Sequence, residues 1–208
     1  RDAQESRGLG DVYKRQFSFC TSYMFSSFIS LWLGQEYILP DTVVYLIVIL
    51  MFLQLSRGIN EQFLFGYGLF YDVWAPLVES ALFILLSIVF GAIYGLTGVL
   101  AGPIGATLII VHGWKPYFLF TKGLKRPIVS YLKLLLVHLC LTIVGYIGSL
   151  KVMEYFLPMI DGLHKWVYWI TQASLFTVII SCFTITLYYI TLSHFRAFVY
   201  RIVKIKFP

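Results

Sequence analysis

Charge is scarce in this sequence. Only 12% of its residues are Asp, Glu, Lys or Arg, where a soluble domain carries about 25%, so a water-facing globule is excluded. Cysteine is scarce too. Cys20, Cys140 and Cys182 each lie inside an apolar run, at spacings that fit neither a metal site nor a disulfide framework, and they are assigned to packing. The four histidines, His112, His138, His164 and His194, fall on separate segments. None forms the i, i+4 pair that holds a metal on a helix, so no metal is expected. There is no phosphate-cradling loop, since Gly66-Tyr67-Gly68 lacks the lysine and the preceding strand. No loop gathers His, Arg or Asp, and no Ser-His-Asp grouping can be argued from chain order. Neither an enzyme nor a cofactor is expected.

What the chain has instead is apolar surface: 59% hydrophobic residues and a mean hydropathy of +0.81 over 208 residues. An apolar helix of roughly 20 residues crosses the hydrocarbon core. These runs lack the alternation of a membrane barrel, and every spanning backbone must satisfy itself, which leaves helices. The expected fold is all-α, a polytopic membrane helix bundle of about six transmembrane helices. The spans read as Phe17 to Leu33, Asp41 past Arg57 toward Gly66 or Gly68, Ala75 to Ile93, Val99 to His112 or Gly113, Pro127 to about Leu150, and about Trp166 to Leu192. The segment KVMEYFLPMIDGLHK reads as amphipathic and interfacial.

The middle of the chain, Gly68 to Phe120, carries the densest pattern. Two spans meet there at the turn Tyr94-Gly95-Leu96-Thr97-Gly98. Gly102 and Gly105 on the second of them allow a neighbouring backbone to come close. Trp114-Lys115-Pro116-Tyr117 then reads as an interfacial exit closed by a helix breaker.

The net charge of +6 does not point to nucleic acid, because the cations cluster beside apolar spans. Lys115, Lys122, Lys125 and Arg126 form one group; Arg196, Arg201, Lys204 and Lys206 form another in the tail. Two spans separate them, so both lie on one side, and the positive-inside rule makes that side, with the C-terminus, cytoplasmic. The connector GQEYILPD, the YGLTG turn and the stretch around Glu154 and Asp161 are then outside. Residues 1–16 are polar and unlike the rest. They read either as a cytoplasmic linker or, through SRGLGDVYKRQ, as a translated adapter that is not native sequence, and carry no functional inference.

Ionisable groups inside spans are candidate functional residues. Gln54, Arg57 and Glu61 follow i, i+3, i+7 spacing and share a face if the second helix continues, with Asn60 beside them. They suit either an interfacial ion pair or a polar stripe facing a cavity, where Arg57 meets an anionic substrate. Glu79 suits the cytoplasmic headgroups and the start of a helix, or the same site. Lys133 can snorkel, and His138 reads as a packing residue.

The run Phe28-Ile29-Ser30-Leu31-Trp32-Leu33-Gly34-Gln35-Glu36-Tyr37-Ile38-Leu39 resembles the "FIxLWLGxEYLL" segment of bacterial O-antigen-type polysaccharide flippases. A later stretch resembles the same family's "GLFWxxxxKPxxE", "GIxGVxxGTxxS" and "WxxPYxLY" patterns. Here these read Gly68-Leu69-Phe70 with Pro76 and Glu79, then Gly95-Leu96-Thr97-Gly98-Val99, then Trp114-Lys115-Pro116-Tyr117. Ala75 stands where the family often has a basic residue. The likeness spans roughly residues 17–135.

The resemblance implies membership of the multidrug/oligosaccharidyl-lipid/polysaccharide exporter superfamily: two helical lobes around a central cavity, with an extra C-terminal helix pair. Residues 17–126 would be four helices of the C-terminal lobe, and 127–208 the last two transmembrane helices with a basic cytoplasmic tail. The N-terminal lobe would be a missing part of the same chain. The implied function is flipping of an undecaprenyl-pyrophosphate-linked oligosaccharide across the bacterial inner membrane, with the lipid bilayer and that substrate as partners. Substrate contact would fall on Arg57, Gln54, Glu61, Asn60 and Glu79. The alternatives are a multidrug or small-molecule antiporter of the same superfamily, or a membrane-embedded glycan polymerase or acyltransferase.

Overall fold

In a computed structural model of the chain, the described residues are 2–125, 127–159, 164–191 and 196. The side chains of residues 2–13, 15, 59, 60, 130, 134, 138 and 159 fall outside that description. Arg126, Asp161, His194, Arg201, Lys204 and Lys206, and the side chains of Asn60 and His138, therefore lie outside the described residues.

The fold is all-α, and no strand occurs among the described residues. The helices are α1 (Asp2–Trp32), α2 (Asp41–Gly66), α3 (Trp74–Tyr94), α4 (Leu96–Thr107), α5 (Lys115–Phe118), α6 (Val129–Phe156) and α7 (Lys165–Thr191). Among the described residues, five helices are long and apolar enough to cross a membrane: α2, α3, the continuous run Leu96–Leu124, Tyr131–Phe156 within α6, and α7. The sixth expected span, within α1, is not among them. Its apolar part is diluted by Ser18, Thr21, Ser22, Ser26, Ser27 and Ser30, and it is preceded by a polar stretch.

The chain forms two compact units, one of residues 1–36 and 135–208 and the other of residues 37–134. In the first, α1 lies along α7. Tyr23 stacks on Phe176 with ring centroids 4.3 Å apart, and the Gln172 Nε2 donates to its hydroxyl at 3.1 Å. Phe19 stacks on Tyr146 of α6 at 4.7 Å. Cys20 sits 3.4 Å from the Thr177 hydroxyl, whereas Cys140 and Cys182 are exposed on their helices. Of the segment read as interfacial, the first part prolongs α6 as far as Phe156 and a 3₁₀ turn follows at Leu157–Met159; residues 160–163 lie outside the described residues.

The second unit holds α2 to α5. Asp41 opens α2, where a carboxylate complements the helix dipole. The helix runs unbroken past Arg57 and Gly58 to Gly66. It closes where Gly68 adopts a left-handed φ of 66° and Leu69 N–H reaches back to the Leu64 carbonyl at 2.9 Å.

The α3/α4 hairpin is tighter than the sequence predicts. A single residue, Gly95, separates the helices instead of a five-residue turn, with φ 61° and ψ −136°. That region is costly for any residue bearing a Cβ. A Gly95→Ala variant is expected to lose ~1–3 kcal/mol, read as a lowered unfolding midpoint in detergent.

Close to the turn the helices touch backbone to backbone. A Cβ on Gly98 would collide with the Phe90 carbonyl, and one on Gly102 with Ser87. Gly105 is looser than expected. It meets only the tip of Leu86, 3.1 Å from a built Cβ, because the contact relaxes with distance from Gly95. Pro103 inside α4 has no N–H for the carbonyl four residues back, that of Val99. The Ser87 hydroxyl of α3 donates to that oxygen at 3.2 Å.

Trp114-Lys115-Pro116-Tyr117 does not close the helix as expected. The helix continues through it to Leu124, with π-helical turns at Leu108–Trp114 and Leu119–Leu124 flanking α5. The Lys115 N–H meets the Ile110 carbonyl, five residues back. This wider register is the local adjustment by which a helix accommodates a proline such as Pro116. The helix stops at Lys125, which is left-handed at φ 49°.

Candidate functional site

Because α2 is continuous, Gln54, Arg57 and Glu61 do fall on one face. The Arg57 guanidinium forks onto Glu79 of α3, Nη1 donating to Oε1 at 2.9 Å and Nη2 to Oε2 at 2.8 Å. Its Nε donates to Glu61 Oε1 at 2.9 Å. Parallel two-bond pairing of this kind needs the planar arginine fork and has no lysine equivalent. Glu79 does not face headgroups as a lone acid: its side chain is 10% exposed. It is the α3 half of an ion pair that ties two apolar helices together.

The network has a fourth member that sequence reading misses. Lys115 Nζ donates to Glu61 Oε1 at 2.7 Å, and its side chain is only 6% exposed. Read as a loop cation, Lys115 is instead delivered inward by the helical turns around Pro116. The signal in the sequence was the apolar run Tyr117-Phe118-Leu119-Phe120 beyond the proline, which a span ending at Gly113 leaves unexplained. Its neighbour Trp114 donates Nε1 to Asp72 Oδ1 at 2.9 Å and packs edge-on against Trp74, centroids 5.0 Å apart. Trp114 thus tethers the α2–α3 connection to the long helix.

The two cations and two carboxylates balance. In an apolar slab that balance is what makes four buried or half-buried charges tolerable, since an unpaired one costs far more than a surface ion pair gains.

Above Arg57 and Glu79 lies a cleft of about 530 Å³ between α2, α3 and α4. Gln54, Arg57, Glu79, Ser80 and Thr107 supply its polar lining; Leu50, Phe83, Val99 and Leu100 are among its apolar walls. A cleft with an apolar wall and a few convergent polar groups suits an amphipathic ligand. Glu61 and Lys115 stand behind Arg57 and do not line it. His112 is outside it too, its Nε2 at 3.4 Å from the Leu53 carbonyl. Among the described residues no group of His, Cys, Asp and Glu is placed to hold a metal ion.

Taken together, these features make the chain a helical membrane protein with a charged cleft in its second unit. Comparison with protein-family models, curated proteins and solved structures found no match to the chain.

Proposed function

We propose that the chain is the later part of a membrane transporter that flips a lipid-linked oligosaccharide, carried on undecaprenyl pyrophosphate, across the bacterial inner membrane. It works by alternating access against a second helical lobe and does no chemistry on its cargo. The observation that carries this reading is Arg57: a guanidinium on an apolar helix, lining a cleft, with both outer nitrogens on one carboxylate, that of Glu79. Phosphate oxygens can take the place of the Glu79 oxygens in the same planar geometry. The apolar walls suit the first part of a lipid tail, and Gln54 and Ser80 suit sugar hydroxyls.

An Arg57→Lys variant does not test this cleanly, because lysine loses the fork onto Glu79 whether or not an anion ever binds. Direct binding does. The full chain in lipid nanodiscs is expected to bind inorganic pyrophosphate saturably by calorimetry, and Arg57→Ala to abolish that binding. The buried Glu79 beside Phe83 favours one rival, a carrier of amphipathic organic cations. Binding of tetraphenylphosphonium, lost in Glu79→Gln, with no binding of pyrophosphate, would establish that rival instead.

A further inference from the structure

Lys115 is the least exposed cation among the described ion pairs, and it does not line the cleft. Its Nζ and the Arg57 Nε converge on one atom, Glu61 Oε1, at 2.7 and 2.9 Å. Arg57 lines the cleft and Lys115 does not, so any influence of Lys115 on a ligand passes through Glu61.

The charge balance says what that influence is. Arg57 and Lys115 oppose Glu61 and Glu79, and the group is neutral. Without the Lys115 charge, Arg57 alone would answer two carboxylates. The site would carry a net negative charge, the guanidinium would be drawn toward Glu61, and an incoming anion would be repelled. With Lys115 in place Glu61 is neutralised from behind, and the two Nη groups are committed only to Glu79, the partner an anion would replace.

We propose that Lys115 is a positioning residue. By neutralising Glu61 it keeps the outer nitrogens of Arg57 available to an anionic diphosphate in the cleft, a role that rests on the anion-site reading above. The π-helical turns flanking α5 then have a purpose: they carry a lysine past a proline and into the interior, where a chain leaving the membrane at Trp114 would have left it in water.

The test is calorimetric titration of inorganic pyrophosphate into the full chain in nanodiscs, reading affinity and number of sites separately. Lys115→Met is expected to weaken affinity about tenfold, the size of one screened charge–charge interaction, with the number of sites unchanged. Lys115→Met combined with Glu61→Gln restores neutrality and is expected to bind within about twofold of the parent. Glu61→Gln alone leaves a net positive site and is expected to bind about tenfold tighter. This last variant decides the matter even if Lys115→Met does not fold.

A double variant that folds but stays weak would make Lys115 a direct contact and overturn the proposal. Unchanged affinity in Lys115→Met would overturn it too, including the case where only the number of sites falls, which would mark a purely structural lysine. A Glu61→Gln variant that binds no tighter has the same consequence. Absence of pyrophosphate binding by the parent chain would remove the anion-site reading itself, and this proposal with it.

Discussion

A Glu79→Leu variant is expected to lose about 3–5 kcal/mol of stability, because it strands Arg57 with one shared carboxylate in apolar surroundings. The cost is set by the charge left behind and not by the bonds removed. It follows that Glu79→Leu combined with Arg57→Leu should recover most of the loss, since a buried ion pair replaced by apolar side chains is often neutral or stabilising. The remaining Glu61–Lys115 pair, at 2.7 Å, still balances itself in that double variant. Unfolding midpoints of the two variants in the same detergent give the comparison. A double variant no more stable than the single would mean that Arg57 and Glu79 are not energetically coupled.

The second large effect is expected at Gly98. A Gly98→Val side chain would have to occupy the space of the Phe90 carbonyl. Backbone there cannot rotate away as a side-chain tip can. Overpacking typically costs 1–3 kcal/mol where neighbours can adjust; here the helices must part, and a loss of ~3 kcal/mol or more is expected. Gly105→Val, facing only the flexible end of Leu86, should cost clearly less. Paired stability measurements on the two variants check the ordering, and equal losses would contradict the described hairpin geometry.

Much of the architecture was legible in the sequence, for identifiable reasons. Nothing breaks the chain between Asp41 and Gly66, so a continuous α2 and a shared face for Gln54, Arg57 and Glu61 follow from helical period alone. The hairpin was legible from its glycines, though not which of them pack most closely. Spacing marks Gly102 and Gly105, whereas proximity to the turn decides in favour of Gly98 and Gly102.

Two features were not legible. The partner of Arg57 comes from another helix, 22 residues away, and no local pattern encodes that pairing. Lys115 was hidden by Pro116. A proline reads as a stop unless the backbone widens its register around it, and only the structure shows that it does. Hydropathy also credited Phe17 to Leu33 with a span, where serine content and a polar lead-in leave α1 less apolar than the five long helices.

The one-residue link at Gly95 has a consequence for how this part of the chain enters a bilayer. From Ser80 to Val111 there is no Asp, Glu, Lys, Arg or His, and between α3 and α4 there is no loop to leave on the far side. The insertion machinery therefore has no charge to carry across and no tether to anchor there. The two helices can cross together as a preformed wedge, led by Tyr94, Gly95 and Leu96. Reporter domains spliced in at that tip to map topology would supply the very polar loop the wedge lacks, and would report on the insertion of an altered protein.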